Sequence, residues 1–136
     1  MIGYFRPLAL IPTVTVALMA CTPPDDASTR GQRLYANHCA ACHGSTGQGN
    51  GPLADTLGMQ SPDLTILSKN NGGTFPADDV ITQIHGYSGR HLFGGMPEYE
   101  QILQSPKVNY ETQDGDIIPT PQSMIDLATY LEEIQD

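Results

Sequence analysis

Five consecutive residues carry the strongest chemical signal in this 136-residue chain: Cys39-Ala40-Ala41-Cys42-His43. The C-x-x-C-H spacing is an attachment pattern for c-type haem. Two thiols three residues apart at a helix end can each reach a vinyl group on one porphyrin edge, and the next residue can turn its imidazole under the iron. The pattern predicts one covalently held haem c, with Cys39 and Cys42 as thioether anchors and His43 as an iron ligand. Other chemistries use part of it. A thiol–disulfide redox pair usually sits near a βαβ unit, and none is visible here. A zinc site needs more donors, but there is no second C-x-x-C and His38 does not offer a standard spacing. A chance match is the bland alternative.

Short elements must position this motif. A helix capped at Ser28 or Asp26 is expected to run to about Ala40, with Gly31, Leu34, Tyr35 and His38 on one face. Gly31 lowers helix propensity, and close approach of another helix would explain its presence. Ser61-Pro62-Asp63 reads as a second helix start, ending near Lys69 before Asn70-Asn71-Gly72-Gly73. Pro76-Ala77-Asp78-Asp79 leads a third through Val80, Ile81 and Ile84 to Gly86. Thr120-Pro121-Gln122 opens the last, with Met124, Leu127, Ala128, Leu131 and Ile134 on one stripe and Tyr130 beside it. Between them, residues 108–118 read as a small β-hairpin turning at Asp114-Gly115. This is an all-α plan of about four short helices, and loops this long ask for an organising group such as a cofactor.

Composition narrows the classes further. Lys plus Arg number 6 against 15 Asp plus Glu, a net charge of -9, with no long basic run. Neutralising phosphates needs Lys and Arg, so nucleic acid is excluded as a partner. Three cysteines are too few for a disulfide scaffold. The 14 Gly and 11 Pro fall short of a disordered composition, so a loop-rich but packed domain is expected.

The first twenty residues read as a leader. Met1–Arg6 holds one positive charge, and the apolar run Leu8 to Ala20, about 13 residues, is shorter than the ~20 needed to span a bilayer. Leu18-Met19-Ala20-Cys21 resembles the bacterial lipobox, which implies cleavage before Cys21 and a diacylglyceryl anchor on its thiol. The alternative is a plain signal cut near Ala20. The expected layout is a signal at 1–20, an anchor and proline-stiffened tether at 21–27, and a single domain at 28–136. The mature protein is then exported, periplasm-facing and lipid-anchored, or soluble in the periplasm if Cys21 is not acylated.

From about Ser28 to Gln135 the chain resembles class I c-type cytochromes, the small monohaem electron carriers. Gly31, Leu34 and Tyr35 precede the C-x-x-C-H motif as in that family, where the first and last helices cross, and Leu127, Tyr130 and Leu131 match its last helix. The implied fold is cytochrome c-like. Gly49-Asn50-Gly51-Pro52-Leu53 is similar to the loop whose proline carbonyl accepts the axial histidine's Nδ1–H, which implies that Pro52 orients His43. Gly94-Gly95-Met96-Pro97 resembles the family's distal signature and implies Met96 as the second axial ligand. The two glycines allow close backbone approach, and Pro97 keeps Met96 out of helical geometry. The alternative for Met96 is core filling. Met124 lies on a core stripe and Met59 in a linker without a presenting motif. His85 and His91 could replace Met96, yet both read better as solvated surface residues. Arg90 is a candidate partner for a haem propionate.

What the resemblance implies about function follows from that ligand set. Two protein ligands leave no coordination site for a substrate, so the expectation is a single-electron carrier, not an enzyme, with redox proteins as partners and no small-molecule substrate. From Glu98 onward nine acids face Lys107 alone, which suits either a basic partner or solubility. Two other readings stay open: an electron-entry subunit of a dehydrogenase or oxidase complex, and a gas-sensing or peroxidatic haem protein if Met96 does not ligate.

Overall fold

The computed structural model describes residues 25–85, 96, 99 and 103–136. Among them the chain forms α1 (Ala27–His38), α2 (Ala40–His43), α3 (Pro52–Leu57), α4 (Leu67–Asn70), α5 (Ala77–His85), β1 (Lys107–Glu111), β2 (Ile117–Pro121) and α6 (Gln122–Glu133). Three of the four expected short helices are α1, α5 and α6, and the other three helices are four to six residues long. No helix of the described residues is long and apolar enough to cross a membrane. The expectations for the leader, Cys21, Arg90 and His91 lie outside the described residues.

Helix α1 starts where its cap permits. The Asp26 carboxylate accepts from the Thr29 N–H at 2.7 Å, satisfying one orphan donor of the first turn. That bond holds the Asp26 carboxyl below its ordinary value. Helix α6 lacks a side-chain cap of its own. Instead Gln122 N–H donates to Pro106 O at 3.1 Å and Ser123 N–H to Ser105 Oγ at 2.9 Å.

Packing of α1 on α6 forms the centre of the molecule. A Cβ at Gly31 would overlap the Asp126 carbonyl oxygen and lie 2.8 Å from Tyr130 Cβ, so only glycine permits this approach. Around the crossing, Tyr35, Met124, Leu127 and Leu131 are buried, joined by Phe75, Ile81, Ile84 and Leu103. The Tyr35 and Tyr130 rings stack tilted with centroids 5.3 Å apart. Arg30 grips Asp126 through Nε and Nη2 at 2.6 and 2.7 Å, and Gln122 donates to the same carboxylate at 2.9 Å. A charge so deeply buried is thus paired and hydrogen-bonded.

Strands β1 and β2 pair antiparallel, with Val108 opposite Thr120 and Tyr110 opposite Ile118. This is the hairpin expected at 108–118, one residue longer at its start and three at its end. It rests on α5 through Asp78, whose carboxylate accepts from Tyr110 Oη at 2.7 Å and Gln113 N–H at 2.9 Å.

One expected helix is absent. Ser61-Pro62-Asp63 does not open a helix, and only Leu67–Asn70 is helical beyond it. The donors and caps of this segment are committed elsewhere. Leu64 N–H donates to Gly47 O at 2.7 Å, and Asp63 Oδ1 accepts from Thr65 N–H at 2.9 Å and Thr65 Oγ1 at 2.7 Å. The proline-at-first-position signal is realised at Pro52, which opens α3.

Candidate functional site

The C-x-x-C-H motif lies at the junction of α1 and α2. Cys39 N–H still donates to Tyr35 O at 2.9 Å, and His43 N–H to Cys39 O at 2.9 Å, so the chain turns tightly without unwinding. Both cysteines are free; Cys39 is buried and Cys42 half-buried. Burial pushes the Cys39 thiol up to about 12, with the neighbouring Cys42 adding to the shift. A thiol raised in this way is the opposite of the stabilised thiolate that a redox pair needs.

His43 is 9% exposed and its ring is oriented by one bond. Its Nδ1 lies 3.2 Å from Pro62 O. A carbonyl can only accept, so Nδ1 carries the proton and neutral His43 keeps its lone pair on Nε2. Burial holds the imidazole below its ordinary value, and the Pro62 carbonyl opposes that shift. A neutral ring with a free Nε2 is what an iron ligand requires.

Pro62 therefore replaces Pro52 as the orienting carbonyl. The Pro52 carbonyl accepts instead from Thr56 Oγ1 at 2.8 Å, inside α3. Nothing local in the sequence distinguishes the two prolines; the path of the loop does. Residues 44–51 wrap the motif, with Gly49 N–H on His43 O at 2.8 Å and Gly51 N–H on Cys42 O at 3.1 Å. At Gly49 (φ 76°) a side chain would overlap the Ser61 carbonyl, so this turn lies directly on the segment bearing Pro62. Tyr35 Oη, buried, donates to Gly44 O at 2.6 Å and closes the turn behind His43.

Met96 is half-buried and packed against the core, with its Sδ 4.0 Å from Gln83 Nε2. Tyr99 Oη donates to His38 O at 3.0 Å and its N–H to Ile84 O at 3.3 Å, linking Tyr99 to both α1 and α5. Sequence reasoning singled out neither Tyr99 nor Gln83, since both act through long-range contacts. Of the other sulfur candidates, Met124 is fully buried in the core and Met59 is exposed. His85, expected at the surface, is buried, because the last turn of α5 faces the core. Among the described residues no group of three or more His, Cys, Asp and Glu gathers as a metal cluster, so the zinc alternative finds no further donors there.

Residues 28–135 match the family model for cytochrome c. No curated protein and no solved structure matches the chain.

Proposed function

The chain belongs to the cytochrome c family, and on that premise we propose that it is a monohaem c-type cytochrome carrying single electrons between redox proteins. Haem, when bound, supplies a one-electron Fe(II)/Fe(III) couple. Cys39 and Cys42 would anchor it by thioether bonds, and His43 Nε2 and Met96 Sδ would be the side-chain atoms that hold its iron. The observation that carries this reading is the bond between His43 Nδ1 and Pro62 O, at 3.2 Å. It fixes the tautomer, aims Nε2 and strengthens the imidazole as a donor.

Each residue has a separable task. The thioether of Met96 is a weak donor that favours the reduced state, and Gln83 beside it orients the sulfur. Tyr35 and Gly49 hold the turn behind His43, so the ligand does not reorganise between oxidation states. The leader ending at Ala20 exports the chain, and an acylated Cys21 tethers it to a bacterial membrane. The acids of the domain suit partners with a basic docking face. Asp78, Asp79, Asp114 and Asp116 line one cleft of about 430 Å³ between the hairpin and α5.

A pyridine haemochrome with a reduced-minus-oxidised spectrum on membrane-extracted protein tests the reading. One haem c per chain is expected, six-coordinate with a weak far-red Met–Fe(III) band. Met96→Ala should remove that band, lower the potential and open the iron to CO. An unchanged spectrum in that variant rejects Met96 as ligand, and a colourless, fully matured protein with alkylatable Cys39 and Cys42 rejects the haem.

A further inference from the structure

Pro62 has no N–H with which to fix itself, so the carbonyl it offers to His43 is placed by its neighbours. Upstream, the turn at Gly49 lies against Ser61 and Pro62, and Leu64 N–H donates to Gly47 O at 2.7 Å. Downstream, the residues that follow α6 take over. The Gln135 side chain donates through Nε2 to Leu64 O at 2.7 Å and to Leu131 O at 2.6 Å, and its Oε1 accepts from Ser68 N–H at 2.8 Å. Beside it, Asp136 N–H donates to Thr65 O at 2.9 Å and the Asp136 carboxylate accepts from Thr65 Oγ1 at 3.2 Å.

We propose that Gln135 is a positioning residue for the axial histidine: it ties the strap 62–68 to the end of α6, and through that strap sets the contact between Pro62 O and His43 Nδ1. The inference rests on the reading of His43 as the iron ligand. Its logic is one of shared reference. Helix α6 crosses α1, and α1 runs directly into Cys39–His43, so the imidazole hangs from the helix pair. Its acceptor is tied to the end of α6 through the Gln135 amide, with Asp136 beside it. A single side chain that serves two carbonyls and one N–H across the strap and α6 needs both a donor and an acceptor, which among uncharged side chains of this length only Gln offers. When the strap loosens, His43 donates less well to Pro62, the ring becomes a poorer donor to iron, and Fe(III) loses stabilisation. The reduction potential then rises.

The test uses full-length, haem-loaded protein and three variants. Gln135→Met removes donor and acceptor. Gln135→Glu keeps an acceptor for Ser68 N–H but has no donor for the Leu64 and Leu131 carbonyls. Tyr110→Phe, in the hairpin, is a destabilised control. Potentials are read by spectroelectrochemical titration, and solvent exchange of the His43 Nδ1 proton by NMR of the reduced state. Both Gln135 variants are expected to raise the potential and to speed that exchange about tenfold through local opening of the strap, while Tyr110→Phe moves neither. If Gln135→Met does not accumulate, Gln135→Glu and Asp136→Ala carry the same expectation, the latter with the smaller shift. Gln135 variants that melt earlier with potential and exchange unmoved would reduce the residue to a structural tie and overturn the inference alone. A wild-type protein without a haem c spectrum would overturn the proposed function and the inference with it.

Discussion

The crossing of α1 and α6 and the β-hairpin are both secondary-structure pairs, yet they are built on opposite terms. At the crossing two backbones meet without an intervening Cβ at Gly31, Tyr35 and Leu127 are almost fully buried, and the buried carboxylate of Asp126 is saturated by Arg30 and Gln122. In the hairpin Val108, Ile117 and Ile118 face outward, burial is confined to Thr120 and Pro121 where β2 runs into α6, and Asp78 supplies the main polar attachment. The crossing carries the C-x-x-C-H motif at the end of α1 and holds the strap of Pro62 from the end of α6, so that the two meet at His43, whereas the hairpin packs on α5 and α6. Stability and site geometry are therefore stored in the same place, and the hairpin is an appendage to it.

Breaking the crossing should have the largest effect. Gly31→Ala puts a methyl group into the Asp126 backbone carbonyl and against Tyr130, neither of which is a flexible side-chain end. The helices must separate, at a cost of about 3 kcal/mol, the upper end for overpacking. Thermal melting and the yield of haem-loaded protein check it; a loss under about 1 kcal/mol would show a crossing that yields easily. Asp126→Asn comes next, at about 2 kcal/mol, because it removes the charge from bonds to Arg30 at 2.6 and 2.7 Å. The half-exposed Arg30 can turn to water, which keeps the loss below that of a fully buried pair.

The same contrast explains what could be read in the sequence. Helices α1, α5 and α6 and the hairpin announce themselves by local signals: the Asp26 cap, the stripe from Met124 to Leu131, the Asp114-Gly115 turn. Even the packing at Gly31 was legible, since a glycine inside a helix needs a reason. The Pro62 strap was not. Ser61-Pro62-Asp63 has every local mark of a helix start, but its donors and its carboxylate are consumed by Gly47 O and Thr65. The sequence pointed to the Pro52 carbonyl for His43, and only the tertiary path brings Pro62, ten residues on, to that place. Gln135 is invisible for the same reason, as its partners lie 71 and 67 residues away. His85 failed differently: a histidine closing a helix suits solvent, but this helix ends against the core.

Loosening the hairpin should cost less and should reveal itself by pH. Tyr110→Phe removes the bond to Asp78 at 2.7 Å, worth about 1 kcal/mol. Burial, and then that bond, hold the Tyr110 phenol above its ordinary value of 10.0. A group raised on folding contributes fully below its unfolded value and loses that contribution as pH rises toward its folded one. The stability difference between wild type and Tyr110→Phe should thus be constant through neutral pH and shrink above about 10. Denaturant melts at graded alkaline pH measure it, and a difference that persists undiminished would mean that the phenol is not held in its neutral form.

Smallest of all is the change at the hairpin's outer face. Ile117 is 58% exposed, and in register it faces Glu111 across the strand pair. Ile117→Thr keeps the β-branch that suits a strand and removes only an apolar surface that water already reaches. The isolated protein should therefore melt within about 0.5 kcal/mol of wild type. The value of so small an effect lies in its contrast with Gly31→Ala. If Ile117→Thr proved as costly as Asp126→Asn in the isolated domain, the hairpin would belong to the folding core after all, and the division of the molecule into a site-bearing crossing and an appended ribbon would fail.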